Sequence, residues 1–119
     1  MRRLLVLACL ALALPGCGLG SDDAAPAEDE SDKRAVAMAC FEEEGIDARL
    51  EGPEGKEEIV IGDGAGAPRI KIFLTSGEAE GAHFAGRGEG AEQIGLALLY
   101  VNEGSDELLE GVENCLADL

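Results

Sequence analysis

Aromatic residues are scarce in this chain of 119 residues, which contains no Trp, one Tyr and three Phe. Sugar-binding sites stack their ligands on aromatic rings, so this composition argues against a carbohydrate-binding platform. Basic residues are also few, with nine Lys and Arg against 25 Asp and Glu and a formal net charge of −16. Nucleic acids and anionic lipid head groups repel such a protein, which excludes nucleic acid as a partner.

Motifs for catalysis, cofactor binding and metal binding are scarce as well. The chain has one His and contains neither a GxSxG nucleophile motif nor a CxxC pair. The glycines at 86–90 follow a predicted helix and precede a predicted strand, the reverse of a dinucleotide-binding loop. The single carboxylate at 62–66 cannot supply the roughly six to eight oxygens that calcium needs. The sequence therefore predicts no catalytic residue, no cofactor and no metal.

The longest apolar run lies near the start of the sequence, where residues 4–14 follow Arg2 and Arg3. This run is shorter than the ~20 residues that a helix needs to cross a bilayer. A short basic N-terminal segment, followed by an apolar run and then by small residues, is typical of a secretory signal peptide. We therefore expect residues 1–16 to be a cleaved signal peptide, and their removal takes the net charge from −16 to −18.

The signal ends in Leu14-Pro15-Gly16-Cys17. This segment resembles the lipobox of bacterial lipoproteins, in which Leu, a small residue, Gly or Ala, and Cys follow one another; Pro15 stands where Ala, Ser or Thr is commoner. The resemblance covers residues 1–17 and implies a lipid on Cys17, hence an extracytoplasmic protein anchored to the cell membrane. Gly18 is compatible with an outer membrane where the host has one. The alternative is an ordinary secretory signal in which Cys17 carries no lipid.

Residues 17–32 have the composition of an acidic, disordered tether. Beyond Leu19 this segment has no large apolar residue, and it cannot bury enough surface to offset the entropy of ordering it. Its length would hold a folded domain away from the membrane. Its acidic residues are Asp22, Asp23, Glu28, Asp29, Glu30 and Asp32.

The cysteines predict a disulfide between Cys40 and Cys115. Cys9 belongs to the signal and Cys17 to the lipid site, which leaves an even pair in an oxidising compartment. Two thiols are too few for a structural zinc site. The alternative is a pair of buried free cysteines.

The sequence pattern of residues 33–119 predicts one small α+β domain. We expect a first helix over 33–44, capped by Asp32, then strands at 46–51, 58–61, 70–74 and 94–101. A short middle helix begins after Thr75, and Ser105 caps the last helix. The first helix carries the apolar stripe Val36, Ala37, Cys40 and Phe41, and the last carries Leu108, Val112, Cys115, Leu116 and Leu119.

The two cysteines lie on the inner faces of these helices, so the helices should pack side by side on one face of the sheet. The fold class is then a small two-layer sandwich with a sheet of three to four strands. Residues 58–61 and 70–74 form an antiparallel hairpin. If 70–74 and 94–101 are parallel, the middle helix joins them in a right-handed crossover.

These features favour a non-enzymatic binding or interaction module of the cell envelope, with a protein partner there. Two alternatives stay open. One is a small envelope hydrolase that uses His83 with acidic neighbours such as Glu80. The other is an accessory subunit of an envelope complex. The acidic run at 42–44 lies at a helix C-terminus, where it is either solvated or relieved by a cation or a basic partner.

Overall fold

The computed structural model describes residues 29–119. Its helices are α1 (Glu30–Glu43), α2 (Ser76–Ala82) and α3 (Asp106–Ala117), and a π-helical turn (His83–Arg87) follows α2. Its strands are β1 (Ala48–Glu51), β2 (Glu58–Ile61), β3 (Arg69–Ile72), β4 (Ala91–Ile94) and β5 (Ala97–Tyr100). The predicted signal peptide, lipid-attachment residue Cys17 and tether up to residue 28 lie outside the described residues.

The strands form one antiparallel sheet in the order β1-β2-β3-β5-β4. The predicted α+β class and the β2–β3 hairpin are confirmed, but the sheet has five strands instead of three to four. Residues 94–101, predicted as one strand, fold back at Gly95, which has φ +56°. Gly at the start of a two-residue turn is typical of a tight hairpin, here joining β4 to β5. Most of the predicted strand 94–101 is β5, which pairs antiparallel with β3, so these two segments are not the parallel pair that the predicted crossover required. Helix α2 instead joins β3 to β4, and these two strands run parallel with β5 between them.

Helices α1 and α3 cover one face of the sheet, as predicted, and the hydrophobic core lies between these two layers. The stripe on α3 is confirmed, since Val112, Cys115 and Leu116 are buried and Leu108 and Leu119 pack at its margin. The strands and α1 contribute the buried residues Ile59, Ile61, Ile70, Ile72, Ala97, Leu99, Ala37 and Phe41.

The apolar stripe of α1 is narrower than predicted, because Val36 is 55% exposed. The buried positions of the helix are Arg34, Ala37 and Phe41, spaced by three and four residues. This spacing turns Val36 away from the sheet. Arg34 lies in the interface with its guanidinium 3.1 Å from the Glu57 carboxylate.

Helix α1 begins three residues earlier than predicted and includes residues 30–32, which the sequence assigned to the tether. Its N-cap is Asp29, whose carboxylate accepts a hydrogen bond from the amide of Asp32 at 2.9 Å. The Asp32 carboxylate accepts one in return from the Asp29 amide at 3.4 Å. Two Asp residues at this spacing complete a reciprocal capping box, so Asp32 supports the cap instead of being the cap.

The opposite face of the sheet is partly apolar and partly charged. Val60 and Leu98 are buried there, and the loop after the π-turn lies against Leu98. Thr75 caps α2 as predicted, by accepting a hydrogen bond from the Glu78 amide at 3.1 Å. Within residues 29–119, no helix combines the length and the apolar character that a membrane-spanning segment requires.

Candidate functional site

The C-terminus of α1 places β1 directly beside that helix. The Ile46 amide donates a hydrogen bond to the Phe41 carbonyl at 2.8 Å, and the Gly45 amide donates one to the Glu42 carbonyl at 3.2 Å. Gly45 has φ +69°. These are the bonds of a Schellman motif, which ends a helix with one left-handed residue and reverses the chain. The strand that follows therefore runs back along α1 at the edge of the sheet.

A groove of about 610 Å³ lies between α1 and β1, and we call it the edge groove. Of the residues within 29–119 that line it, six are apolar, two are acidic and none is basic. Leu50 at its margin is 46% exposed. These lining residues are Ala35, Met38, Ala39, Glu42, Ile46, Asp47, Ala48 and Leu50.

The outer edge of β1 has no neighbouring strand among the described residues, and its hydrogen-bonding groups can be assigned. The Gly62 amide donates to the Asp47 carbonyl at 2.8 Å, which makes residues 47 and 62 a hydrogen-bonded pair. Such pairs alternate along an antiparallel ladder, so Arg49 and Glu51 bond to β2. The amides and carbonyls of Ala48 and Leu50 therefore point outward, beside the edge groove.

A second hydrogen bond supports this assignment independently. The Ile61 amide donates to the Pro68 carbonyl at 2.9 Å and so points toward β3. Ile61 lies opposite Ala48 in the β1–β2 register. Because Ile61 does not turn its amide toward β1, its partner Ala48 belongs to a non-hydrogen-bonded pair of that ladder.

Acidic side chains surround the edge groove at the α1 end. Glu42 and Asp47 line it, and the exposed Glu43 and Glu44 lie next to Glu42 at the helix C-terminus. The last turn of α1 contains no basic residue. The partial negative charge of a helix C-terminus adds to these carboxylates, so the groove presents a negative potential to a ligand.

Ion pairs on the other face of β1 hold the strand against the sheet. Arg49 lies 2.9 Å and Arg69 lies 3.0 Å from the Glu51 carboxylate, and Arg69 also reaches Glu58 at 3.7 Å. The hydrogen bond from Arg49, together with the charges of both arginines, lowers the pKa of Glu51 below its ordinary value. The strand at the edge groove is thus tied by side chains as well as by its ladder to β2.

The sheet brings Cys40 of α1 and Cys115 of α3 to disulfide distance, with their α carbons 5.7 Å apart. Cys115 is buried and Cys40 is half-buried at the interface of the two helices. The predicted pair is therefore together in space. A bond here links α3 to the helix that forms one wall of the edge groove.

His83 lies in the π-turn and is half-buried. Its ring packs against Gly88, where an added Cβ would lie 2.9 Å from the histidine Cδ2. The Phe84 ring lies next to it, with a centroid distance of 6.0 Å. Within the described part of the chain, no acidic or hydroxyl side chain is hydrogen-bonded to the imidazole, and Glu80 is not paired with it.

The two glycine-rich segments lie in turns and loops. Residues 62–66 belong to the connection between β2 and β3, where Asp63 lies 3.4 Å from the Arg49 guanidinium. Residues 88–90 connect the π-turn to β4. Among residues 29–119, no group of three or more His, Cys, Asp or Glu side chains is arranged to hold a metal ion.

Comparisons of the chain with protein-family models, with curated protein sequences and with solved structures each find no match.

The edge groove is a feature that sequence reasoning missed, because it forms only when α1 and β1 lie side by side. A partial signal was present in the alternation of Ile46, Ala48 and Leu50, whose apolar side chains share one face of the strand.

Proposed function

We propose that this chain is a membrane-anchored extracytoplasmic lipoprotein whose folded domain is a non-enzymatic interaction module of the cell envelope. The observation that supports binding is the edge groove beside the outward-facing backbone of Ala48 and Leu50. Unpaired strand edges and exposed apolar surface are the features through which proteins associate. The domain would bind its partner there.

The proposed anchor rests on the lipobox-like segment that ends at Cys17. Eleven residues separate Cys17 from Asp29, the N-cap of α1. A flexible segment of that length would place the domain roughly 20 Å from the lipid. This distance would present the edge groove to proteins at the membrane surface.

Site-specific photocrosslinking in the producing cells tests the proposed binding surface. A photoreactive residue replaces Leu50 in the full-length chain, and a matched control replaces the exposed Glu80 on α2. We expect position 50, and not position 80, to capture one reproducible protein. Mass spectrometry of the joined peptides should place that protein against β1. Capture of lipid alone, or of the same abundant proteins from both positions, would refute the proposed surface.

The intact mass of the protein extracted from membranes tests the proposed anchor separately. We expect a chain that starts at Cys17, carries a diacylglycerol and gains two hydrogen atoms when it is reduced. A lipid-free mass that begins at another residue would overturn the anchor and indicate a secreted or periplasmic protein. The photocrosslinking result would still decide whether the domain binds a partner.

A further inference from the structure

We propose that the edge groove binds an extended, basic segment of a partner protein, which adds to the sheet as a sixth strand beside β1. This inference rests on the proposed interaction function and names the chemistry of the partner. Addition of a strand to a sheet edge uses main-chain hydrogen bonds for affinity and side-chain pockets for specificity. The edge groove offers both elements together.

The backbone part of the site consists of Ala48 and Leu50. Each presents one amide donor and one carbonyl acceptor outward, so an added strand meets four hydrogen-bonding groups. Strand β1 is itself held to the sheet by its ladder to β2 and by the ion pair of Glu51 with Arg69 of β3. An incoming segment therefore pairs with an edge that is already ordered, which reduces the entropic cost of binding.

The side-chain part of the site lies on the helical face of the sheet. Alternate residues of an added strand would share that face with Ala48 and Leu50. They would enter the space lined by Met38, Ala39 and Ile46, where the described part of the chain places no basic or aromatic side chain. The best occupant is therefore a segment with small or medium apolar residues at every second position.

The charges of the groove select a basic partner. Glu42 and Asp47 line it, and Glu43 and Glu44 extend the negative region along the end of α1. A Lys or Arg flanking the apolar positions would reach these carboxylates, whereas an acidic segment would be repelled. Complementary charge at the rim mainly raises the rate of association and rejects wrong partners.

The same charges argue against the two occupants that this chain could supply. A second copy would bring its own acidic rim, and without residues 1–16 each copy carries a formal charge of −18. Residues 17–28, which precede α1, contain three acidic residues and no basic one. Both would be repelled by Glu42 and Asp47, so a different protein is the better partner.

A peptide titration tests this partner class on the full-length chain in detergent micelles. The probe is a fluorescent peptide of alternating Val and Thr with Lys at each end, and its matched control carries Glu in place of Lys. We expect the Glu-ended peptide to bind at least about tenfold more weakly. A third peptide, N-methylated along one edge, should not bind. Equal binding of the Lys-ended and Glu-ended peptides would overturn the proposed basic preference.

Two variants assign the binding to the groove. Leu50→Pro removes an outward-facing amide but none of the hydrogen bonds between β1 and β2. Because proline is tolerated on edge strands, this variant should still fold. We expect it to lose binding of the Lys-ended peptide. Glu42→Lys, at an exposed position, should reduce the preference for the Lys-ended peptide, because it removes one of the two carboxylates of the lining and adds a positive charge. Glu80→Lys is the control with the same charge change and should bind like the unsubstituted chain. Unchanged preference in Glu42→Lys would refute the site even if Leu50→Pro failed to fold.

The outcomes separate this inference from the proposed function. If position 50 captures a protein in cells but the Lys-ended and Glu-ended peptides bind equally well, the proposed basic partner is wrong. The proposed binding surface is then still supported. If position 50 captures no protein, the surface itself is wrong. A dimer of this chain that disappears in Leu50→Pro, seen by sedimentation, would overturn the choice of a different protein as the partner.

Discussion

The α carbons of Cys40 on α1 and Cys115 on α3 lie 5.7 Å apart, which is the separation found in disulfide-bonded pairs. The two residues are 75 positions apart in the sequence. A bond between them joins the first and last helices over one face of the sheet. It also fixes the helical wall of the edge groove to the core.

Loss of this bond should destabilise the domain. In the chain-entropy model, a disulfide that closes a loop of this length stabilises the folded state by about 4 kcal/mol. We expect Cys115→Ser to lower the free energy of unfolding by about that amount, and reduction of the unsubstituted chain to do the same. Urea denaturation with and without reductant measures both. Equal midpoints under the two conditions would show that no bond forms.

Replacement of Gly45 by any other residue should lower the free energy of unfolding. Its φ of +69° is left-handed, and nothing lies within 4 Å of the position of an added Cβ, so the cost is conformational and not steric. Gly45→Ala should destabilise by about 1 kcal/mol. Gly81→Ala is the matched control, because Gly81 lies inside α2 in open space and alanine should stabilise that helix. Denaturant midpoints that move in the same direction for both variants would contradict this prediction.

The pairing of Glu51 with Arg49 and Arg69 predicts a pH dependence of stability. A carboxyl whose pKa is lower in the folded state, as that of Glu51 is, stabilises the fold at pH values above its ordinary, unfolded pKa. That contribution is lost as the pH falls through the lower, folded pKa. The free energy of unfolding of Glu51→Gln should therefore fall less in acid than that of the unsubstituted chain. Urea midpoints between about pH 6 and 2 measure this difference.

The control for this pH prediction is Glu54→Gln. Glu54 is exposed in the turn that follows β1. Its replacement removes one carboxyl without touching the ion pairs of Arg49 and Arg69. We expect this variant to retain the pH profile of the unsubstituted chain. A Glu51→Gln profile identical to that of Glu54→Gln would show that the ion pairs of β1 make no difference to acid stability.

His83 distinguishes an interaction module from the alternative of a small hydrolase. In the module that we propose, His83→Ala should leave partner capture from position 50 and binding of the Lys-ended peptide unchanged. A hydrolase that used this histidine as its base would lose activity by a factor of about 10² or more. Assay of the full-length chain and of His83→Ala against a panel of ester and amide substrates measures this. Hydrolysis that disappears in the variant would favour the enzyme.

Much of the fold could be predicted because local patterns and tertiary packing agree. The stripe of α3 has a clear helical period and faces the core. The β2 and β3 patterns lie on either side of a glycine-rich turn, and they form the expected hairpin. Ser105 and Thr75 cap their helices as predicted, since each hydroxyl accepts an amide hydrogen bond three residues ahead.

The prediction failed where one local pattern fits two structures. Residues 94–101 are apolar throughout, so hydropathy did not show that Ile94 ends one strand, Ala91–Ile94, and that a second strand begins at Ala97. Asp29 and Asp32 are both good helix caps, and only the hydrogen bonds show that the first is the N-cap.

Sequence patterns gave only a partial signal of the edge groove, the alternation of Ile46, Ala48 and Leu50. Its walls come from residues 35–42 of α1 and residues 46–50 at and before β1. They meet because the Schellman turn at Gly45 reverses the chain. The outward direction of the Ala48 and Leu50 amides depends on the register with β2, which is a tertiary property.

Amide hydrogen exchange, read by NMR on the full-length chain in micelles, tests most directly whether the edge of β1 is a binding surface. In the free chain, the amides of Ala48 and Leu50 should exchange fast, while those of Arg49 and Glu51 should be protected by their bonds to β2. Saturation with the Lys-ended peptide should slow exchange at Ala48 and Leu50. Protection confined to other segments, or no change at these two amides in the presence of bound peptide, would contradict binding at this edge.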